Sequence, residues 1–103
     1  MKEIIFIYNF ADELLYFNKI VENKDLNIRY LYDYDAKDVK EIIQLENKFK
    51  TKLKPLILIK ENDKYIKVFK QGPYSHEKKG PEYTSIESFK NYLNAQERVS
   101  NNS

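Results

Sequence analysis

A proline stands directly in front of four consecutive aliphatic residues in this chain. Pro55 precedes the run Leu56, Ile57, Leu58 and Ile59, which predicts a buried strand over 56–59. Proline has no backbone N–H to donate to a neighbouring strand, so within a sheet it occupies edge strands, bulges or the first position of a strand. The sequence therefore predicts that Pro55 starts this strand and that the chain turns into the sheet at that point.

Apolar periodicity on both sides of the proline alternates between strands and helices. Further strands are predicted over 3–10, 26–35 and 64–70, and helices over 11–23, 36–50 and 84–94. Asn9 and Asp35 are the predicted caps of the first two helices, and Thr84 with Glu87 has the spacing of a capping box for the third. Residues 60–63 predict the turn of a hairpin between the last two strands.

The order of elements is therefore β-α-β-α-β-β-α, an α/β chain. A right-handed crossover makes the first two strands parallel, and the hairpin makes the last two antiparallel. The length of 103 residues fits one domain, which we expect over residues 1–95, followed by a flexible tail over 96–103.

The amino-acid composition excludes several kinds of catalytic and metal-binding sites. The chain has no cysteine and a single histidine, His76, which excludes thiol redox chemistry and any site built from several Cys or His ligands. Its net charge is only +2 with both signs mixed, which does not favour a phosphate-binding surface. We see neither a secretory signal nor a stretch near the ~20 apolar residues of a membrane span. We therefore expect a cytoplasmic protein without a cofactor.

The pattern around Pro55 resembles that of the thioredoxin-like fold family. In "KFKTKLKP" a helix leads into the proline, with Phe49 about six positions before it. Four apolar residues, a polar turn, a charged return strand and Gly72 then follow. The alternating "YLYDYD" also resembles the family's second strand, which ends in an acidic residue. The resemblance implies a four-stranded mixed sheet in the order 2-1-3-4, flanked by three helices, with a cis peptide bond before Pro55.

The redox motif of that family is missing. The resemblance would place Cys-x-x-Cys around residues 10–16, where this chain has "FADELLY". We therefore expect a divergent member without thiol-disulfide oxidoreductase activity.

Three loops meet at one end of the implied sheet: the loop after strand 1, the loop before strand 3 and the loop after strand 4. Ligands of open α/β sheets bind at the carboxyl ends of the parallel strands. The third loop also holds both glycines and the only histidine of the chain, a composition that fits either a recognition loop or a surface insertion without a binding role. The candidate contact residues at this end are Asn9, Phe10, Asp12, Lys54, Pro55, Tyr74, His76, Lys78, Lys79 and Tyr83.

The favoured hypothesis is a non-catalytic protein-binding module that acts through this end, such as an accessory or host-interaction factor of a phage or mobile element. A second hypothesis is a binder of small molecules or thiol conjugates, or an enzyme, that uses Tyr8, Tyr74 or His76 at the same end. Tyr8 invites this comparison because the N-terminal domain of glutathione transferases has an active tyrosine near the end of its first strand. Catalysis by His76 is not expected, because no nucleophile is fixed beside it.

A third hypothesis is nucleic-acid binding through Lys64, Lys67 and Lys70 on the last strand. That strand is expected to lie at an edge of the sheet, where lysines also oppose pairing with other chains. Because the net charge is small, nucleic acid is the least favoured partner. We expect another protein as partner and no membrane contact, and an exposed edge strand permits a homodimer.

Overall fold

The computed structural model describes residues 2–73 and 83–101, and confirms the order of strands and helices. Seven elements follow one another along the chain: β1 (Lys2–Tyr8), α1 (Ala11–Val21), β2 (Ile28–Tyr32), α2 (Ala36–Phe49), β3 (Leu56–Glu61), β4 (Lys64–Phe69) and α3 (Thr84–Asn101). None of the helices in these two ranges is long and apolar enough to cross a lipid bilayer.

The strands form one mixed sheet in the order β2-β1-β3-β4, as expected. β1 and β2 are parallel, with Tyr8 paired to Tyr32, whereas β3 is antiparallel to both β1 and β4. The register between β3 and β4 shifts after Ile59, which pairs with Lys67, while the next residue pairs with Tyr65. Ile66 is therefore an extra residue in the edge strand, as in a β-bulge.

Helices cover both faces of the sheet, which explains why β1 and β3 are apolar along most of their length. Alternate residues of these central strands point to opposite faces. On one face they pack with α1 and α3 in a cluster of Ile4, Phe6, Phe17, Val21, Ile57, Ile59, Ile86, Phe89 and Leu93. On the other face they pack with β2 and α2 in a cluster of Ile5, Ile7, Leu31, Ile42, Leu45, Leu56 and Leu58.

Several element boundaries differ from those that the sequence predicted. β3 continues to Glu61, so the hairpin turn consists of Asn62 and Asp63, whose φ angles of 52° and 66° suit a tight two-residue turn. β2 is shorter than predicted because the backbone turns after Tyr32. α3 runs to Asn101, beyond the helix end predicted at residue 94; the segment from Ala95 onwards begins with strong helix formers.

Both backbone polar groups of Tyr32, the last residue of β2, form hydrogen bonds. The backbone N–H of Tyr32 donates to Asp38 Oδ2 (3.0 Å), and its carbonyl accepts from the Asp35 N–H (3.1 Å). The Asp35 side chain also caps α2, as predicted, by accepting from the Lys37 N–H. Arg29 of β2 donates to both carboxylate oxygens of Glu41 on α2, at 2.5 and 2.7 Å. These contacts fasten α2 across the edge strand.

Candidate functional site

The loops after β1 and before β3 lie side by side at one end of the sheet. Ile7, near the end of β1, pairs with Leu56, the first residue of β3. This pairing brings together Asn9, Phe10, Asp12, Lys54 and Pro55. Tyr83 immediately precedes α3, whereas Tyr74, His76, Lys78 and Lys79 lie outside the described residues.

The residues at this end divide into an exposed layer and a buried layer. Phe10 is 57% exposed, Asp12 is exposed and Asn9 is half-buried. Lys54 and Pro55 are buried, so their side chains contribute little accessible surface at this end. The sequence predicted all five as contact residues, but the accessible side chains come mainly from the start of α1.

Lys54 is fixed by acceptors from three parts of the chain. Its Nζ donates to Glu46 Oε2 on α2 and to the carbonyl oxygen of Lys52 (2.8 Å), and it lies 3.9 Å from Asp33 Oδ2 after β2. A buried ammonium is strongly unfavourable without such partners. The lysine therefore joins α2 and the β2 loop to the start of β3.

Glu13 is the second buried ionisable residue here, although the sequence did not mark it as a site residue. Its Oε1 accepts from the backbone N–H groups of Asn9 (2.7 Å) and Phe10 (3.3 Å). The N-cap of α1 is Phe10 rather than Asn9, and the carboxylate of Glu13, in the first turn, accepts from the backbone N–H of this N-cap and of the residue before it. Glu13 Oε2 and Asn9 Oδ1 have no hydrogen-bond partner within the described part of the chain.

Burial raises the pKa of Glu13 above the usual 4.5 of a glutamate, because desolvation disfavours its charged form. Hydrogen bonds from the Asn9 and Phe10 backbone, and the positive charge of Lys54, oppose this rise. The protonated form of Glu13 is therefore favoured more than in water.

A buried set of hydrogen bonds fastens the start of α3 to the same end. Ser85 Oγ donates to the carbonyl oxygen of Pro55 (2.6 Å), and the Ser85 N–H donates to Gln71 Oε1 (3.2 Å). Beside them the Gly72 N–H donates to Thr84 Oγ1 (2.9 Å). The predicted capping box is wrong, because Thr84 lies inside the helix and its side chain binds Gly72.

Tyr83 contributes to packing between α1 and α3. Its ring lies 5.7 Å from that of Tyr16, and the Tyr16 hydroxyl donates to the Glu87 carboxylate. Glu87, the other half of the predicted capping box, therefore contacts α1.

Tyrosines extend the exposed layer towards the β2 edge. The rings of Tyr8 and Tyr32 stack at 5.1 Å, and the Tyr34 ring meets Tyr32 edge-on at 5.7 Å. Tyr34 is 64% exposed. Burial, followed by Tyr32 and nearby Asp38, raises the pKa of Tyr8 and keeps its phenol neutral. The spacing of two residues in "YLYDY" was the sequence signal for this row.

Other parts of the described structure offer less specific chemistry. Within residues 2–73 and 83–101, no group of three His, Cys, Asp or Glu side chains could hold a metal ion. A cavity of about 580 Å³ lies at the opposite end of the sheet. It is lined by Lys2, Ile4, Asp25, Leu26, Asn27, Ile59, Tyr92, Leu93 and Gln96. Apolar side chains and charges of both signs share this lining, which favours no single class of ligand.

No protein-family model, curated protein or solved structure matches this chain.

Proposed function

We propose that this chain is a thioredoxin-like domain without redox chemistry that binds another protein through the end formed by the loops after β1 and before β3. Support for the fold comes from the strand order 2-1-3-4 with helices on both faces. Further support comes from Pro55, which directly precedes β3 after a cis peptide bond. The lack of cysteine is the reason to propose a binding role in place of thiol chemistry.

The observation that carries the binding role is the pair of exposed aromatic side chains at this end, Phe10 and Tyr34. Tyr8 and Tyr32 are partners in the parallel register, and Phe10 and Tyr34 each follow two residues later. Both therefore follow the carboxyl ends of adjacent parallel strands, at the same end of the sheet, with exposed fractions of 57% and 64%. Aromatic residues are enriched at the centres of protein interfaces, where a few of them supply most of the binding energy.

The buried polar residues at this end support the same proposal. Glu13 and Lys54 form hydrogen bonds to the backbone of the loops after β1 and before β3, so the backbone that carries Phe10 is held in place. A preorganised surface loses less conformational entropy on binding. A small accessory factor acting on a cytoplasmic protein, such as a host protein, is the role that we propose for such a surface.

The alternative of a thiol-conjugate binder names Tyr8, Tyr74 or His76, of which Tyr8 lies in the described part of the chain. The raised pKa of its phenol disfavours the tyrosinate form. Stacking against Tyr32 also occupies one face of its ring. Both features favour a packing role for Tyr8.

Paired substitutions test the proposed surface. Proteins captured from the source cells by the immobilised wild-type chain are identified, and the enriched protein is purified and titrated by calorimetry. Phe10→Ala and Tyr34→Ala should each weaken its binding about tenfold, which corresponds to about 1.4 kcal/mol.

Leu15→Ala and Ile43→Ala are the matched controls, since these residues are 60% and 48% exposed on the helices. Neither control should change the affinity by more than about twofold. Equal binding by the wild-type chain and both aromatic variants would refute the proposed surface, as would an equal loss in the controls.

A further inference from the structure

Positive charge is concentrated in one stretch of the chain. Residues 48–70 contain eight lysines and only two acidic residues, Glu61 and Asp63, which gives a net charge of +6. The whole chain carries +2, so the remaining residues together carry −4. The net charge of the whole chain is therefore small although residues 48–70 are strongly basic. A polyanion near this segment interacts mainly with the local charge.

The fold places lysines from three elements of this stretch along the β4 edge, on both faces of the sheet. On the α2 face, Lys48 Nζ, near the end of α2, lies 5.5 Å from the centre of the Tyr65 ring on β4. Lys60 Nζ on β3 lies 5.4 Å from the same centre, so the two ammonium groups are at most about 11 Å apart. On the opposite face, Lys67 Nζ of β4 lies 5.8 Å from the centre of the Tyr92 ring on α3.

Glu3 lies opposite Lys60 and Glu61 opposite Lys64 in the sheet, but neither forms a close ion pair with that lysine. Apart from buried Lys54, none of the lysines in the stretch forms an ion pair with any residue that the structure describes, whereas Lys24 and Arg29 elsewhere each pair with a glutamate. Lys60 acts on Glu41 only through a weaker, longer-range attraction that helps to lower the pKa of that glutamate. Unpaired like charges repel one another, and a bound anion would relieve that repulsion.

We propose that this surface, the basic edge, binds the phosphate backbone of single-stranded nucleic acid. It consists of Lys48, Lys60, Lys64 and Lys67, together with Tyr65 and Ile66. The apolar members favour nucleic acid over an acidic protein, because single-strand binding combines backbone charge contacts with apolar and aromatic contacts to bases. Ile66, in the bulge, is 42% exposed. The basic edge lies on β4, across the sheet from the exposed tyrosines of β2, so it is separate from the proposed protein-binding end.

Salt dependence of DNA binding tests the basic edge. The probe is a fluorescein-labelled 20-nucleotide DNA of mixed sequence, titrated by anisotropy between 20 and 200 mM NaCl. If the wild-type chain neutralises three or four phosphates, the logarithm of affinity should fall with that of salt at a slope of about −2 to −3.

The triple variant Lys48→Gln, Lys60→Gln and Lys67→Gln should flatten this slope by about 2. The control triple variant changes exposed lysines elsewhere, namely Lys19, Lys40 and Lys90, to glutamine. Both variants lower the net charge from +2 to −1, so they differ only in where the charge is removed. The control should keep a slope close to that of the wild-type chain.

Circular dichroism checks that the variants are folded. Lys64→Gln, which touches no aromatic ring in the described structure, gives a milder test with an expected slope change of about 0.7.

Three results would overturn the proposal. One is a wild-type chain without salt-dependent binding. Another is an equal loss in both triple variants, which would mean that only net charge matters. The third is equally tight binding of polyglutamate, which would indicate a surface for acidic proteins.

Discussion

Replacing Glu46 by glutamine would leave the Lys54 ammonium buried without its main negative partner. The Lys54 side chain is 1% exposed, and the Glu46 side chain is 15% exposed. Loss of one partner of a buried pair costs about 3–5 kcal/mol of folding free energy. Here the Lys52 carbonyl still accepts at 2.8 Å and the Asp33 carboxylate remains 3.9 Å away. We therefore expect a smaller loss of about 2–3 kcal/mol.

Urea unfolding followed by circular dichroism measures this loss. In a chain of this length it should also lower the melting temperature by about 10–20 °C. Glu22→Gln, at an exposed position, is the matched control and should change the unfolding free energy by less than about 0.5 kcal/mol.

The double variant Glu46→Gln with Lys54→Met removes the buried charge altogether. Replacement of a buried pair by uncharged side chains is often neutral, so the double variant should lie within about 1 kcal/mol of the wild-type chain. The explanation fails if Glu46→Gln alone costs less than about 1 kcal/mol, or if the double variant is no more stable than the single one.

Two further substitutions test the other buried polar groups at this end. Glu13→Gln keeps an oxygen for the two backbone N–H groups but removes the ionisation. Because burial raises the folded-state pKa of Glu13, the folded chain holds this proton more tightly than the unfolded chain, and wild-type stability falls as pH rises from about 4.5 through the raised pKa. The decline in urea-unfolding free energy between pH 4.5 and 7 should therefore be smaller in the variant; a larger decline would contradict this sign. Ser85→Ala deprives the Pro55 carbonyl of its donor and should cost about 1–3 kcal/mol in the same assay, against little change for the exposed Ser88→Ala. Equal costs for the two serines would contradict a role for this hydrogen bond.

The order of strands and helices could be predicted from the sequence because buried segments have recognisable local patterns of apolar residues. β1 and β3 are covered on both faces, so each appears as an uninterrupted apolar run. Pro55 marked the start of β3 because proline lacks the backbone N–H that an interior position of a central strand needs. Asp35 was recognisable as a cap because its acceptor lies beside the N–H that it binds.

The buried polar residues of the candidate site could not be predicted from local sequence patterns. Glu46, Gln71 and Ser85 look like ordinary surface residues in the sequence, and their burial follows only from how helices dock on the sheet. Lys54 was identified from its place next to Pro55, but its inward orientation depends on a carboxylate eight residues earlier. Local sequence patterns predict the buried faces and the ends of helices and strands. Hydrogen bonds between distant elements depend on how these elements pack, so local patterns do not predict them.

The hydrogen bonds around Ser85 have a consequence for how the last helix is joined to the sheet. The Gly72 N–H bonds to Thr84, and Gln71 bonds to Ser85, so the two ends of the intervening segment are held together by the domain itself. The entropic cost of closing a loop between fixed ends increases only weakly with loop length, by about 0.6 kcal/mol for each doubling. The contact between the end of β4 and the start of α3 is therefore maintained by the side chains and backbone of residues 71, 72, 84 and 85 themselves. The last helix is thus joined to the sheet by local polar contacts as well as by its apolar face.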